Sequence, residues 1–185
     1  MSLVETLSGL ALGIGLAAAC GFRVFVPLFA MALAAAHGEL RLASDMQWAQ
    51  STPALLALGT ATLVEVAAYY VPWLDHALDL LASPAAVVAG VVTSAAVLVD
   101  LPPLVRWGTA LVAGGGAAGL VQGATVLARA KSGLLTGGAA NPAVATAELG
   151  LAVTLVTAAL LVPFLALIGV LMLAGWVVRR RIRTP

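Results

Sequence analysis

The chain has 185 residues, 62% of them hydrophobic and 9% charged, with a formal net charge of +1 and a mean hydropathy of +1.09. A soluble domain needs about 25% charged residues to cover its surface, so this composition excludes a soluble globular protein and predicts a chain dissolved in a bilayer. The basic residues gather in a tail rather than on a face, which gives no argument for a nucleic-acid partner, and the single cysteine, Cys20, excludes an intramolecular disulfide.

The first apolar stretch, 6–36, is too long for one straight crossing: at 1.5 Å per residue it would reach about 50 Å against a hydrocarbon core of about 30 Å. A break is predicted at Gly21 and Pro27, which remove side-chain packing and a backbone donor, with Arg23 between them. The run Leu16-Ala17-Ala18-Ala19-Cys20 looks like a lipoprotein processing site. However, Glu5 stands where a basic n-region should be and the apolar sequence continues to Ala36, so a retained first membrane segment is predicted.

The second stretch, 53–73, reads as a single span. Within it Thr62, Glu65 and Tyr69 follow i, i+3, i+7 spacing and form one polar stripe. A charge at that depth costs about 2.5–3.5 kcal/mol on insertion scales, so Glu65 is expected to face the bundle interior, as an ion or proton site or as a structural carboxyl bonded to its neighbours. Arg23 cannot lose its proton and needs an anion, carbonyls or water, and a pair between Arg23 and Glu65 is the specific expectation. After Pro72 come Asp75, His76 and Asp79 on a short connecting segment. Their oxygen and imidazole atoms could hold a divalent ion, but two carboxylates four residues apart are better explained as a solvated acidic turn, so no metal site is predicted.

A short third stretch, 84–99, leads to a fourth, 107–128. There Gly115, Gly119 and Gly123 recur every four residues, as Gly9 and Gly13 do once in the first stretch. Small residues on one helix face let backbones approach, so these glycines are predicted to pack helices together, line a pore or mediate contact between copies. Gln122 is the strongly polar side chain of that span and requires a buried partner. The segment 131–138, with its glycines and a lysine, reads as a loop, but no strand precedes it and the phosphate-loop spacing is absent, so no nucleotide site is predicted.

The last stretch, 143–178, again exceeds one crossing and contains Pro163 as a break point; Glu148 lies near its start, and no charge occurs from there until Arg179, Arg180, Arg181 and Arg183. Together the stretches predict an all-α, polytopic transmembrane helix bundle, a single domain over 1–185 with a basic cytoplasmic tail at 179–185. Thr52-Pro53-Ala54 with Val71-Pro72-Trp73-Leu74 resembles Asn141-Pro142-Ala143 with Val162-Pro163-Phe164-Leu165, which suggests repeat halves 1–101 and 102–178. Three helices in each half would make a 3+3 inverted repeat. Six spans with a cytoplasmic C-terminus put Arg129, Lys131 and the four terminal arginines inside and Arg41 and Arg106 outside. Splitting at Pro163 would leave a final helix of about 15 residues, below the usual crossing length, so five spans with a kinked last helix is the alternative.

Gly21-Phe22-Arg23 followed by Pro27, Glu65 with Pro72, Asp75 and Asp79, and Gly138, Asn141, Pro142 and Glu148 together resemble the domain-of-unknown-function 4126 family of bacterial membrane proteins over nearly the full chain. The resemblance implies a multi-pass protein of the bacterial inner membrane and draws attention to Glu65, but carries no established activity. Tyr69 and Tyr70 stand where members often have an Asp-Lys pair, so a mechanism built on that pair does not transfer.

The expected function is a small transporter or channel for an ion or small solute, with Arg23, Glu65, Tyr69, Gln122 and Glu148 along its polar pathway. So small a bundle predicts a homo-oligomer joined through the glycine faces. The alternative is a non-transporting scaffold or assembly partner whose polar groups lock helices together. No nucleophile and base pair, zinc site or haem site is visible, so neither enzymatic activity nor a cofactor is expected.

Overall fold

The computed structural model describes residues 3–183, apart from the side chains at 72–80, 178 and 180–183. The described chain is all-α: α1 Leu3–Cys20, α2 Phe25–Ala36, a 3₁₀ helix Ser44–Gln50, α3 Thr52–Ala68, α4 Pro72–Val97, α5 Pro103–Thr109, a π-helical turn Ala110–Gly114, α6 Gly115–Thr136, α7 Asn141–Leu161 and α8 Pro163–Arg183. Three helical runs are long and apolar enough to cross a membrane: Leu3–Cys20, Pro103–Thr136 and Asn141–Leu161. A fourth follows if the 3₁₀ helix and α3, bent by 66° at their junction, count as one broken span. Phe25–Ala36, Leu81–Val97 and Pro163–Val177 are shorter apolar helices.

Both expected breaks are present. The chain leaves helical geometry over 21–24, and Pro27 falls in the first turn of α2, where a missing N–H leaves no intrahelical bond unmade. Pro163 opens α8 directly after α7. The final helix is longer than expected, at 21 residues, because it continues through the basic segment to Arg183.

Two boundaries depart from the sequence reading. Pro84 does not begin a separate helix, nor is 72–83 a connecting segment: Pro72–Val97 is one continuous helix of 26 residues. Pro84 is on its exposed side, where a lost backbone bond is tolerated while Ala82, Ala86 and Ala89 bury the opposite face. The segment 131–138 is not a loop for most of its length either. The helix α6 runs to Thr136 and stops at Gly137 and Gly138, whose φ values of 60° and 88° belong to the left-handed region that glycine enters without penalty.

The helix α1 is the centre of the bundle, packed against α4, α6, α7 and α8, with residues 16–20 wholly buried. Backbones approach closely through small residues: a Cβ on Gly13 would lie 2.9 Å from Ser94 Oγ, and one on Gly114 2.6 Å from the Gly90 carbonyl oxygen. Gly115 faces Val91 and Gly119 faces Val87 in α4, so this part of the glycine stripe packs within the chain; Gly123 looks onto open space, and Gly9 makes only ordinary contact. Meanwhile Leu56, Leu63, Leu104, Leu134, Leu161 and Met172 are largely exposed. An alanine-rich and glycine-rich interior beneath an outer surface of leucine is the reverse of a water-soluble protein and suits lipid.

Candidate functional site

The break between α1 and α2 is seated on α6. An added Cβ at Gly21 would lie 2.6 Å from the Ala118 carbonyl oxygen and 2.9 Å from the Gln122 amide nitrogen, so only glycine lets the end of α1 approach α6 there. Beyond the break, α2 begins with donors that have no partner in its own helix. Glu65 reaches across from α3 to meet them: the backbone N–H groups of Val24 and Phe25 donate to its Oε1 and Oε2 at 2.7 and 3.0 Å. A carboxylate at that position accepts two bonds and complements the positive end of the helix dipole.

This arrangement corrects the expected pair between Arg23 and Glu65. Arg23, only 2% exposed, turns instead toward α7, where its Nη2 donates to the Ala145 carbonyl at 2.7 Å and lies 3.6 Å from Glu148 Oε2. Its guanidinium stacks 3.7 Å from the centroid of Tyr69, the residue that ends α3. Nε and Nη1 of Arg23 are buried and have no hydrogen-bond partner among the described residues.

Glu148 is committed to a second arginine. Arg129 Nε donates to its Oε1 at 2.9 Å, while Arg129 Nη2 donates to Oε2 in a very close contact, a fork-on-fork pair from α6 to α7. The Arg129 guanidinium also lies 4.6 Å from the Tyr69 centroid, so one ring receives both cations. Arg129 is thus 7% exposed and inside the bundle, rather than among the cytoplasmic charges where the sequence reading counted it. A signal for it does exist. Gln122, Thr125 and Arg129 follow i, i+3, i+7 spacing, and all three are buried. Thr125 is satisfied by the Gln122 carbonyl, as Thr62 is by that of Leu58, which leaves Thr62 no part in the cluster.

A separate polar contact lies elsewhere. Arg106, counted outside the membrane in the six-span expectation, is 6% exposed and pairs closely with the half-exposed Asp45 of the 3₁₀ helix. The backbone of Asp75, His76 and Asp79 belongs to α4, and their side chains lie outside the described residues; among the described residues no three His, Cys, Asp or Glu side chains gather as a metal site would require.

The α1–α2 break, α3, α6 and α7 therefore bring together Arg23, Glu65, Tyr69, Arg129 and Glu148, with Gln122 on the same face of α6. Four ionisable groups share a sheltered interior, each carboxylate held by its own donors. Ionisable groups held this way inside an apolar bundle are sheltered from lipid and fixed in position. The sequence model of a family described as Domain of unknown function (DUF4126) matches residues 10–181, and the chain belongs to that family. No curated protein and no solved structure matches the chain.

Proposed function

We propose that this member of the family is a small membrane transporter or channel whose solute meets the cluster of Arg23, Glu65, Tyr69, Gln122, Arg129 and Glu148. The observation that carries the reading is the broken helix whose new N-terminus is capped by Glu65 directly beside Arg23. Irregular backbone within a membrane bundle persists where protein or a wet cavity satisfies it, and discontinuous helices with ionisable neighbours are how transporters build their centres. In this reading six spans, arranged as a 3+3 inverted repeat, leave Lys131 and the terminal arginines on the cytoplasmic side of a bacterial inner membrane. Two copies associate through outward-facing small residues such as Gly123 of α6. The proposal contains no catalytic step.

A scaffold is the second reading, favoured by one feature: the fork between Arg129 and Glu148 pins α6 to α7 and would serve a purely architectural role equally well. Flux of ions and small solutes into proteoliposomes, with and without Glu65→Gln, separates the two. Altered flux supports a pathway through the cluster. No flux across the whole panel, with loss of thermal stability in the variant, supports the scaffold.

A further inference from the structure

The geometry points to a compact monovalent anion as the solute of this cluster, bound at the Arg23 guanidinium; the inference rests on reading the cluster as a solute site. The charges there are unequally met. Glu65 is answered by two backbone N–H groups at the start of α2, where the helix dipole adds about half a positive charge. Glu148 is answered by the fork of Arg129. Arg23 is left with one carbonyl, the face of Tyr69 and a carboxylate oxygen at 3.6 Å, beyond hydrogen-bond length.

A guanidinium carries five N–H donors, and Nε and Nη1 hold three of them. No described residue accepts from either atom, on a side chain 2% exposed. An unmet buried donor is costly, more so on a charged group, so an arginine kept only to lock helices would not leave three N–H bonds unanswered. Acceptors carrying negative charge match what is missing. A cation would find both carboxylates already occupied by donors and nothing to accept from Arg23, and a neutral solute would meet the three open N–H groups of a charged side chain less well than an anion does. Burial of the Arg23 side chain to 2% exposure favours a small ligand, of the size of chloride, nitrate or formate rather than a sugar acid.

The test uses the purified full chain in detergent. Its melting temperature is followed in sodium chloride, bromide, nitrate and formate against sodium gluconate at constant ionic strength, with choline replacing sodium as the cation control. A saturable rise with the compact anions, absent with gluconate and indifferent to the cation, is expected. Arg23→Lys keeps the positive charge but loses the planar fork, and should raise the half-saturating concentration about tenfold or more. A shift common to all salts, or none, would mean that water alone answers Arg23 and overturns the inference, as would an undiminished response in Arg23→Lys. If that variant does not fold, the anion series on the unaltered protein decides by itself. Flux measured beside it distinguishes the two levels: cation or neutral-solute flux without an anion response removes the anion and leaves the transporter. A saturable anion response without flux keeps the site and removes transport.

Discussion

Glu148 grips Arg129 across the α6–α7 hairpin, and the two residues stand at equal distance from its turn, Arg129 nine residues before Gly138 and Glu148 nine after Ala139. Antiparallel helices of equal rise bring such positions to the same level, which is why a separation of nineteen residues closes into one fork. Removing a partner from a buried pair costs about 3–5 kcal/mol because it strands the other charge. The two removals should nevertheless differ. Glu148→Ala leaves both Arg23 and Arg129 without their carboxylate, whereas Arg129→Ala leaves Glu148 with Arg23 already 3.6 Å away. Thermal unfolding in detergent should therefore show the larger loss for Glu148→Ala, and equal or reversed losses would contradict the shared carboxylate.

Two glycines, one in the break seated on α6 and one on α6 itself, should respond in opposite directions. Gly21→Ala places a methyl group 2.6 Å from a backbone oxygen and 2.9 Å from a backbone nitrogen of α6, neither of which can swing aside. Overpacking of that kind costs about 1–3 kcal/mol. Gly123→Ala meets nothing within 4 Å and gains about 0.5–1 kcal/mol of helix propensity within one copy. Melting temperatures of the two variants at matched protein concentration check the prediction. That gain holds for the dilute single copy; the proposed contact between copies on that face would turn it, at higher protein concentration, into a loss that disappears on dilution.

Glu65→Gln keeps the shape of the side chain but offers only one acceptor oxygen to the two N–H groups at the start of α2. Losing half of such a cap costs about 0.5–2 kcal/mol, spent locally rather than across the bundle. Amide exchange at Val24 and Phe25 should accelerate by more than exchange in α1, where residues 16–20 are wholly buried. Uniform acceleration along the chain would show that Glu65 supports the bundle as a whole and not the beginning of α2.

What could be read from the residues was what a single helix decides. The break near Gly21, the proline start of α8 and the burial of Arg23 and Glu65 follow from backbone chemistry and the cost of charge in an apolar run. Pairing between helices was not legible in the same way. Burial gave both charges a need for partners, and the break itself supplied a third kind, the free N–H groups that took Glu65 and left Arg23 to Glu148. Arg129 reads as a cytoplasmic charge because Lys131 follows it and the pair resembles a cytoplasmic anchor. Its spacing to Gln122 and its mirror position opposite Glu148 are the features of the sequence that match its burial. Pro84 misled for the opposite reason: its ring lies on the exposed side of α4, where a proline interrupts one bond without ending the helix.

The burial of Arg129 and Arg106 also weakens the charge count behind the proposed orientation, because a paired arginine inside the bundle no longer votes for a side. Lys131 and the basic end of α8 remain on one hand and Arg41 on the other, so topology should be measured directly. Cys20, the single cysteine, is wholly buried against Thr93 and should resist a membrane-impermeant maleimide unless the protein is denatured, giving a silent background. In oriented vesicles, Ser132→Cys and Arg179→Cys should then be labelled from the same face, since α7 and α8 would each have to cross between them for six spans to hold. Labelling from opposite faces would mean that α7 and α8 together cross only once, leaving five spans, an odd number that an inverted repeat of three and three does not permit.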